Sequence, residues 1–195
     1  MTHIAVDMDD VVVDFVGGLI AAMYTEHGVI ITVEQLEATG WDLHPLLDPI
    51  VGYSWWNWLR EREWLWANFP AVPGAMGGLE QLHRQGHYLE LITSKPKWAR
   101  HNVWKWLGKW RPPFDQVTIV TDSKARKVDF TKADILIDDK PENIQGFLDD
   151  GRRGLLFARP HNGTAVLQSH GSDTLTNVSD WSDVLTYFMG DNNGR

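Results

Sequence analysis

The sequence has no cysteine. Disulfides, thiolate catalysis and cysteine-ligated zinc are therefore excluded, which leaves oxygen-ligated metals such as magnesium as the favoured class. Basic residues are also scarce: 18 Lys and Arg stand against 26 Asp and Glu, for a formal net charge of -8. A chain of that balance repels a phosphate backbone and lacks the broad basic surface of a nucleic-acid binder, so any phosphate ligand must be held locally. No run approaches the roughly 18 apolar residues of a membrane span. Met1-Thr2-His3 leads straight into an apolar segment with no basic n-region and no small-residue cleavage site. No membrane partner is expected, and the cytoplasm is the default location. Internal repeats and low-complexity segments are absent as well.

What is present is an ordinary globular composition, 43% apolar and 23% charged over 195 residues, enough for one domain with a small insertion. Short apolar runs read as buried strands at His3–Asp9, His87–Ser94, Gln116–Thr121, Ala133–Asp139 and Gly154–Ala158. Between them lie helical patterns at Ala75–Gln85, Lys97–Trp110 and Pro141–Asp149, with a terminal helix at Asp180–Met189 and a frayed tail from Gly190. This alternation predicts an α/β fold, a Rossmann-like parallel sheet with helices on both faces. The segment 15–69 is too long for a simple crossover and carries the aromatic patch YSWWNWLREREWLW. It reads as a small helical cap inserted after the first strand, with residues 1–14 and 70–195 forming the core domain.

Chemistry concentrates where the strands end. Asp7 and Asp9 are two apart at the end of the first run, so an extended backbone points both the same way, whereas Asp10 points elsewhere. Such a pair suits one carboxylate attacking phosphorus while the other handles the leaving-group proton. Asp138 and Asp139 end another apolar run at the same sheet edge. Carboxylates converging there repel one another unless a cation lies between them, and an oxygen-rich site with room for water and phosphate suits magnesium. Thr93 and Ser94 end the second strand, where a hydroxyl and a backbone N–H can hold phosphate oxygens. Lys127 precedes the fourth strand and can balance the charge of a transferring phosphoryl group, with Lys124, Arg126 and Lys132 as competitors.

The order DMDDVVVDF, LITS, a lysine, then DILIDD resembles the four motifs of the haloacid dehalogenase superfamily of phosphohydrolases across nearly the whole chain. Within it, the chain looks like the 5'(3')-deoxyribonucleotidase family. AVPGAMGGLEQL, ILIDDKPENI, the segment Ala158-Arg159-Pro160-His161-Asn162 and a late SDWSDV carry that likeness. The resemblance implies that Asp7 is the nucleophile and Asp9 the general acid and then base. Thr93 and Lys127 would stabilise the phosphoryl group, and Mg²⁺ would be held by Asp7, the backbone carbonyl of Asp9 and one of Asp138 or Asp139. This chain departs from the family at Asp10, where glycine is frequent, and at Lys95, where proline is common; Lys95 can alter phosphate or sugar contacts.

Five tryptophans, Trp55, Trp56, Trp58, Trp64 and Trp66, lie within twelve residues. Most are expected to form a hydrophobic core within the cap, and one or two to stack on a nucleobase. Trp66 and Phe69, just before the chain returns to the core domain, are the expected substrate contacts, with His161 in a structural hydrogen bond. The implied activity is hydrolysis of a small-molecule (deoxy)nucleoside monophosphate, with no nucleic-acid partner and the homodimer left open. The same chemistry on another small phosphate monoester or a nucleic-acid 3'-phosphate end is the alternative, followed by a non-catalytic nucleotide-binding protein.

Overall fold

Apolar residues on successive strand positions point to opposite sides of one sheet, and both sides are covered. In the computed structural model, which describes residues 1–40, 42–122, 124–163, 167–168 and 174–191, six strands pair in parallel. They are β1 (His3–Val6), β2 (Tyr88–Ser94), β3 (Gln116–Val120), β4 (Ile135–Asp138), β5 (Arg153–Phe157) and β6 (Leu175–Val178), in the order β3-β2-β1-β4-β5-β6. Ile4, Val6, Ile135, Ile137, Leu155 and Phe157 join the larger apolar cluster. Ala5, Leu136 and Leu156, one residue out of phase, join the smaller one. The period of two is why these strands read as continuous apolar runs.

Between β1 and β2 the chain first runs through the inserted segment: α1 (Phe15–His27), α2 (Val33–Thr39), α3 (His44–Val51), α4 (Trp55–Glu61) and a 3₁₀ stretch Glu63–Asn68. The remaining helices are α5 (Ala75–Arg84), α6 (Arg100–Trp110), α7 (Pro141–Asp149) and α8 (Trp181–Asp191). Local signals set their ends. Asp14 accepts from the Gly17 N–H at the start of α1, and Thr32 and Gln35 close a reciprocal capping box on α2. The insertion shares its core with the sheet: Phe15, Leu19, Trp58 and Trp66 belong to the same cluster as Ile4, Leu79 and Trp181. At Gly78 an added Cβ would fall 2.4 Å from the Trp181 ring, so only glycine lets α5 meet α8 this closely.

Several boundaries differ from the sequence-based expectation. β1 ends at Val6 rather than Asp9, because Met8 turns the chain: its carbonyl accepts from both Val12 N and Val13 N. The helix expected over Lys97–Trp110 begins with a 3₁₀ turn at Lys97–Ala99. β6 was not expected, since Leu175-Thr-Asn-Val has polar residues at its centre and no apolar run to signal a strand. Residues 192–195 of the expected tail lie outside the described residues. No helix among the described residues is long and apolar enough to cross a membrane.

Candidate active site

The chain fills one side of the sheet from β1 outward, then starts again at β4 on the other side. β1 and β4 are thus neighbours at the switch point, where a crevice opens at the strand ends. Asp7, anchored by its N–H to the Ile137 carbonyl at 2.9 Å, and Asp138-Asp139 meet there. A cavity of about 1030 Å³ covers that edge. Asp7, Asp9, Trp66, Thr93, Ser94, Lys95, Lys127 and Asp139 all line it. Asp138 and Phe69 do not.

Lys127, buried in a 3₁₀ turn, sits between two acids, with Nζ 2.7 Å from Asp138 Oδ2 and 2.6 Å from Asp7 Oδ1. Burial alone would push its ammonium down, but the charges of Asp138 and Asp7 hold it above the usual lysine range. Its competitors Lys124, Arg126 and Lys132 are exposed, and Arg126 pairs with Asp129 at 2.8 Å. Asp138 is pushed up to about 6 by burial, against the pull of Lys127. It accepts from Lys127, from the Lys140 N–H and from the Asn143 amide. Asp138 is thereby fully engaged in orienting the lysine.

Asp139 is different. Its carboxylate is fully buried, Oδ2 meets His161 Nε2 at 2.9 Å, and Oδ1 has no hydrogen-bond partner. Burial, then the charges of Asp10, Asp138 and Asp7, push it well above the ordinary carboxylate range. Asp7, Asp138 and Asp139 bring carboxylate oxygens within 4.8 Å of one another. Crowded hard oxygens with one unpartnered buried donor fit a divalent cation of the magnesium type.

Asp9 lies in the loop after β1 rather than on the strand, and still reaches the cavity. Its carboxylate is held from two sides: Lys95 Nζ pairs with Oδ2, and Trp66 Nε1 donates to Oδ1 at 3.2 Å. The Lys95 ammonium also lies 4.4 Å from the centre of the Trp66 ring. Burial raises the Asp9 pKa, Lys95 opposes and Asp7 adds to the rise. The side chain keeps 19% exposure through the cavity, so water still reaches it and moderates that rise.

The geometry bears on two expectations for the insertion. Trp66 lines the cavity as a substrate contact would, but it is only 2% exposed and spends its N–H on Asp9, so it offers a base little surface. Phe69 packs edge-on against Phe15 inside the core, and its ring presses on Gly18. Of the four tryptophans that line the cavity, Trp55 and Trp66 are buried, whereas Trp56, 37% exposed, and Trp98, half-buried, are the more open, with ring centres 6.4 Å apart and nearly perpendicular. Trp98 lies four residues beyond Ser94, outside the aromatic patch, and sequence reading passed it over. Asp10 is buried at φ 57 outside the cavity, where Oδ1 accepts from Val16 N. It was expected to point away from Asp7 and Asp9 and lies outside the cavity, but its carboxylate comes within 4.8 Å of Asp139 and His161, and burial, chiefly, pushes its pKa up to about 7.

Residues 1–188 match the family described as "5' nucleotidase, deoxy (Pyrimidine), cytosolic type C protein". A Staphylococcus epidermidis protein named "Putative 5'(3')-deoxyribonucleotidase" is 26% identical over 187 residues, covering 95% of each chain. Among solved structures, the L-2-haloacid dehalogenase of Xanthobacter autotrophicus superposes with a TM-score of 0.62 at 12% identity, covering 97% of this chain and 99% of that one. The "putative HAD-hydrolase YfnB" of Bacillus subtilis, bound to magnesium, also has a TM-score of 0.62 at 12% identity, with 95% and 97% covered. At such identities the solved structures speak for the fold alone.

Proposed function

The chain belongs to the deoxy (pyrimidine) 5' nucleotidase family of cytosolic type C, within the haloacid dehalogenase superfamily of phosphohydrolases, and from that premise we propose that it hydrolyses deoxyribonucleoside monophosphates through a phosphorylated Asp7. The observation that carries this reading is Lys127 locked between Asp7 and Asp138 beside the unpartnered Asp139 oxygen, at the floor of a cavity walled by tryptophans.

In the first half-reaction a carboxylate oxygen of Asp7 attacks phosphorus, the bond from phosphorus to the ester oxygen breaks, and Asp9 gives its proton to the departing nucleoside oxygen. Asp9 suits that role because burial lifts its affinity for a proton. In the second, Asp9 removes a proton from water, which attacks the phosphoryl group and returns Asp7 to its carboxylate. Lys127 and the Thr93 hydroxyl face the phosphoryl oxygens, neutralising charge as it develops. Asp7, the Asp9 backbone carbonyl and Asp139 would hold Mg²⁺, which supplies charge compensation for the phosphate dianion. Asp139 is assigned to the ion and Asp138 to Lys127, because only Asp139 has an oxygen to spare.

Trp56 and Trp98 give the cavity aromatic surface on which a planar base can stack, which favours a nucleotide over a sugar phosphate. The test is release of inorganic phosphate from a panel of 5' and 3' deoxy- and ribonucleoside monophosphates beside glycerol phosphate, with and without chelator. Deoxynucleotide turnover that requires Mg²⁺ is expected. Preference for the non-aromatic phosphate would overturn the substrate class.

A further inference from the structure

One short segment after β5 touches both loops that carry the acids. Arg159 Nε donates to the Asp10 carbonyl at 2.6 Å, and its guanidinium lies 4.7 Å from the centre of the Phe157 ring. His161 Nε2 meets Asp139 Oδ2 at 2.9 Å, with side-chain exposures of 2% and 0%. The Asn162 amide donates to the Asp139 carbonyl at 2.6 Å and to the Phe157 carbonyl at 2.8 Å, while its oxygen accepts from Arg159 N at 2.8 Å. None of the three lines the cavity. They cannot touch substrate there, yet they fix Asp139 through both its side chain and its main chain.

Asp139 needs such support. The torsion that turns a carboxylate is soft, and the neighbouring charges of Asp10, Asp138 and Asp7 all repel it. Left alone, the group would rotate or swing to relieve that repulsion. A buried imidazole on Oδ2 blocks the rotation and leaves Oδ1 as the open oxygen.

We propose that His161 and Asn162 are positioning residues for the cation site, the imidazole setting the Asp139 carboxylate and the amide setting its backbone, while Arg159 holds the Asp7–Asp10 loop against them. The inference rests on the reading of Asp7 and Asp139 as cation ligands. It gives His161 a defined task beyond stability: partners that orient a metal-bound carboxylate typically contribute about 10–100-fold to metal affinity. With Asp139 ionised against a cation, the ring N–H donates and the carboxylate accepts.

The experiment is calorimetric titration of Mg²⁺ into the wild type, His161→Ala and His161→Gln, with circular dichroism and melting curves on all three. His161→Ala should bind Mg²⁺ about 10–100-fold more weakly. His161→Gln, whose amide N–H can meet the same oxygen, should recover most of the loss. Wild-type affinity in His161→Ala, or a lowered Tm with Mg²⁺ affinity unchanged, would overturn the inference and leave a purely structural bond. If His161→Ala does not fold, the same comparison is made with His161→Leu, which keeps the bulk and removes the donor. A wild type that binds no Mg²⁺ would instead refute the cation site itself, and the positioning role with it.

Discussion

The carboxylate of Asp9 has two keepers, and neither could be read from its neighbours in sequence. Acids at the ends of apolar runs announced Asp7, Asp9, Asp138 and Asp139, because a parallel sheet delivers strand ends to one crevice. The contacts to Lys95 and Trp66 span 86 and 57 residues; the first depends on the pairing of β1 with β2 and the second on how the insertion folds back over β1, which no local pattern encodes. They change what Trp66 should do. Trp66→Phe keeps the packing and removes one N–H from a charged acceptor, a bond worth about 1.5–3 kcal/mol. The resulting fall in kcat/KM, about tenfold or more if the bond matters in the transition state, should be equal for a deoxynucleotide and for glycerol phosphate. A loss confined to the nucleotide would restore Trp66 as a stacking surface.

Among the elements, the strands announced themselves wherever both faces are apolar, and β6 escaped because Thr176 and Asn177 interrupt its run. The insertion was recognisable by length and helical spacing, but the division of its tryptophans was not: Trp58 and Trp66 are core, whereas Trp56 faces the cavity with Trp98 of the neighbouring 3₁₀ turn. Trp56→Ala and Trp98→Ala should each lower kcat/KM for a deoxynucleotide, by about tenfold for a stacking contact of about 1–3 kcal/mol. Glycerol phosphate should be hydrolysed as before; equal losses on both would make these rings structural. The α5–α8 contact tests packing instead. Gly78→Ala drives a methyl into the Trp181 ring and should cost about 1–3 kcal/mol, seen as a lower Tm. Gly77→Ala next to it meets nothing within 4 Å and should be neutral or stabilising, by up to about 1 kcal/mol. A similar response at both positions would contradict the observed packing.

For the whole molecule, the net charge of -8 is less telling than its concentration: Asp7, Asp9, Asp10, Asp138 and Asp139 crowd one edge, with Lys95 and Lys127 between them. Asp10 is raised from 3.8 to about 7 and Asp138 from 3.8 to about 6, both mainly by burial. Over that window the folded protein binds protons that the unfolded chain has released, so with chelator present stability should fall as pH rises from about 4 towards 7. His161, lowered from 6.5 to about 4, acts in the opposite sense, its contribution being lost as pH falls below 6.5. The carboxyls outnumber it. Melting curves across that range should therefore slope downward with pH in chelator and flatten when Mg²⁺ is added. An upward slope in chelator, or no response to Mg²⁺ near neutral pH, would count against the acidic cluster as a cation site. The chemistry that this concentration of charge serves can be caught directly. An acid quench of the enzyme during turnover of a deoxynucleotide, followed by borohydride reduction and peptide mass spectrometry, would convert an acyl phosphate on aspartate into homoserine. Homoserine is expected at position 7 in the wild type and none in Asp7→Asn, which should also lose turnover while keeping its fold. Homoserine at position 9 instead, or full turnover by Asp7→Asn, would contradict Asp7 as the nucleophile.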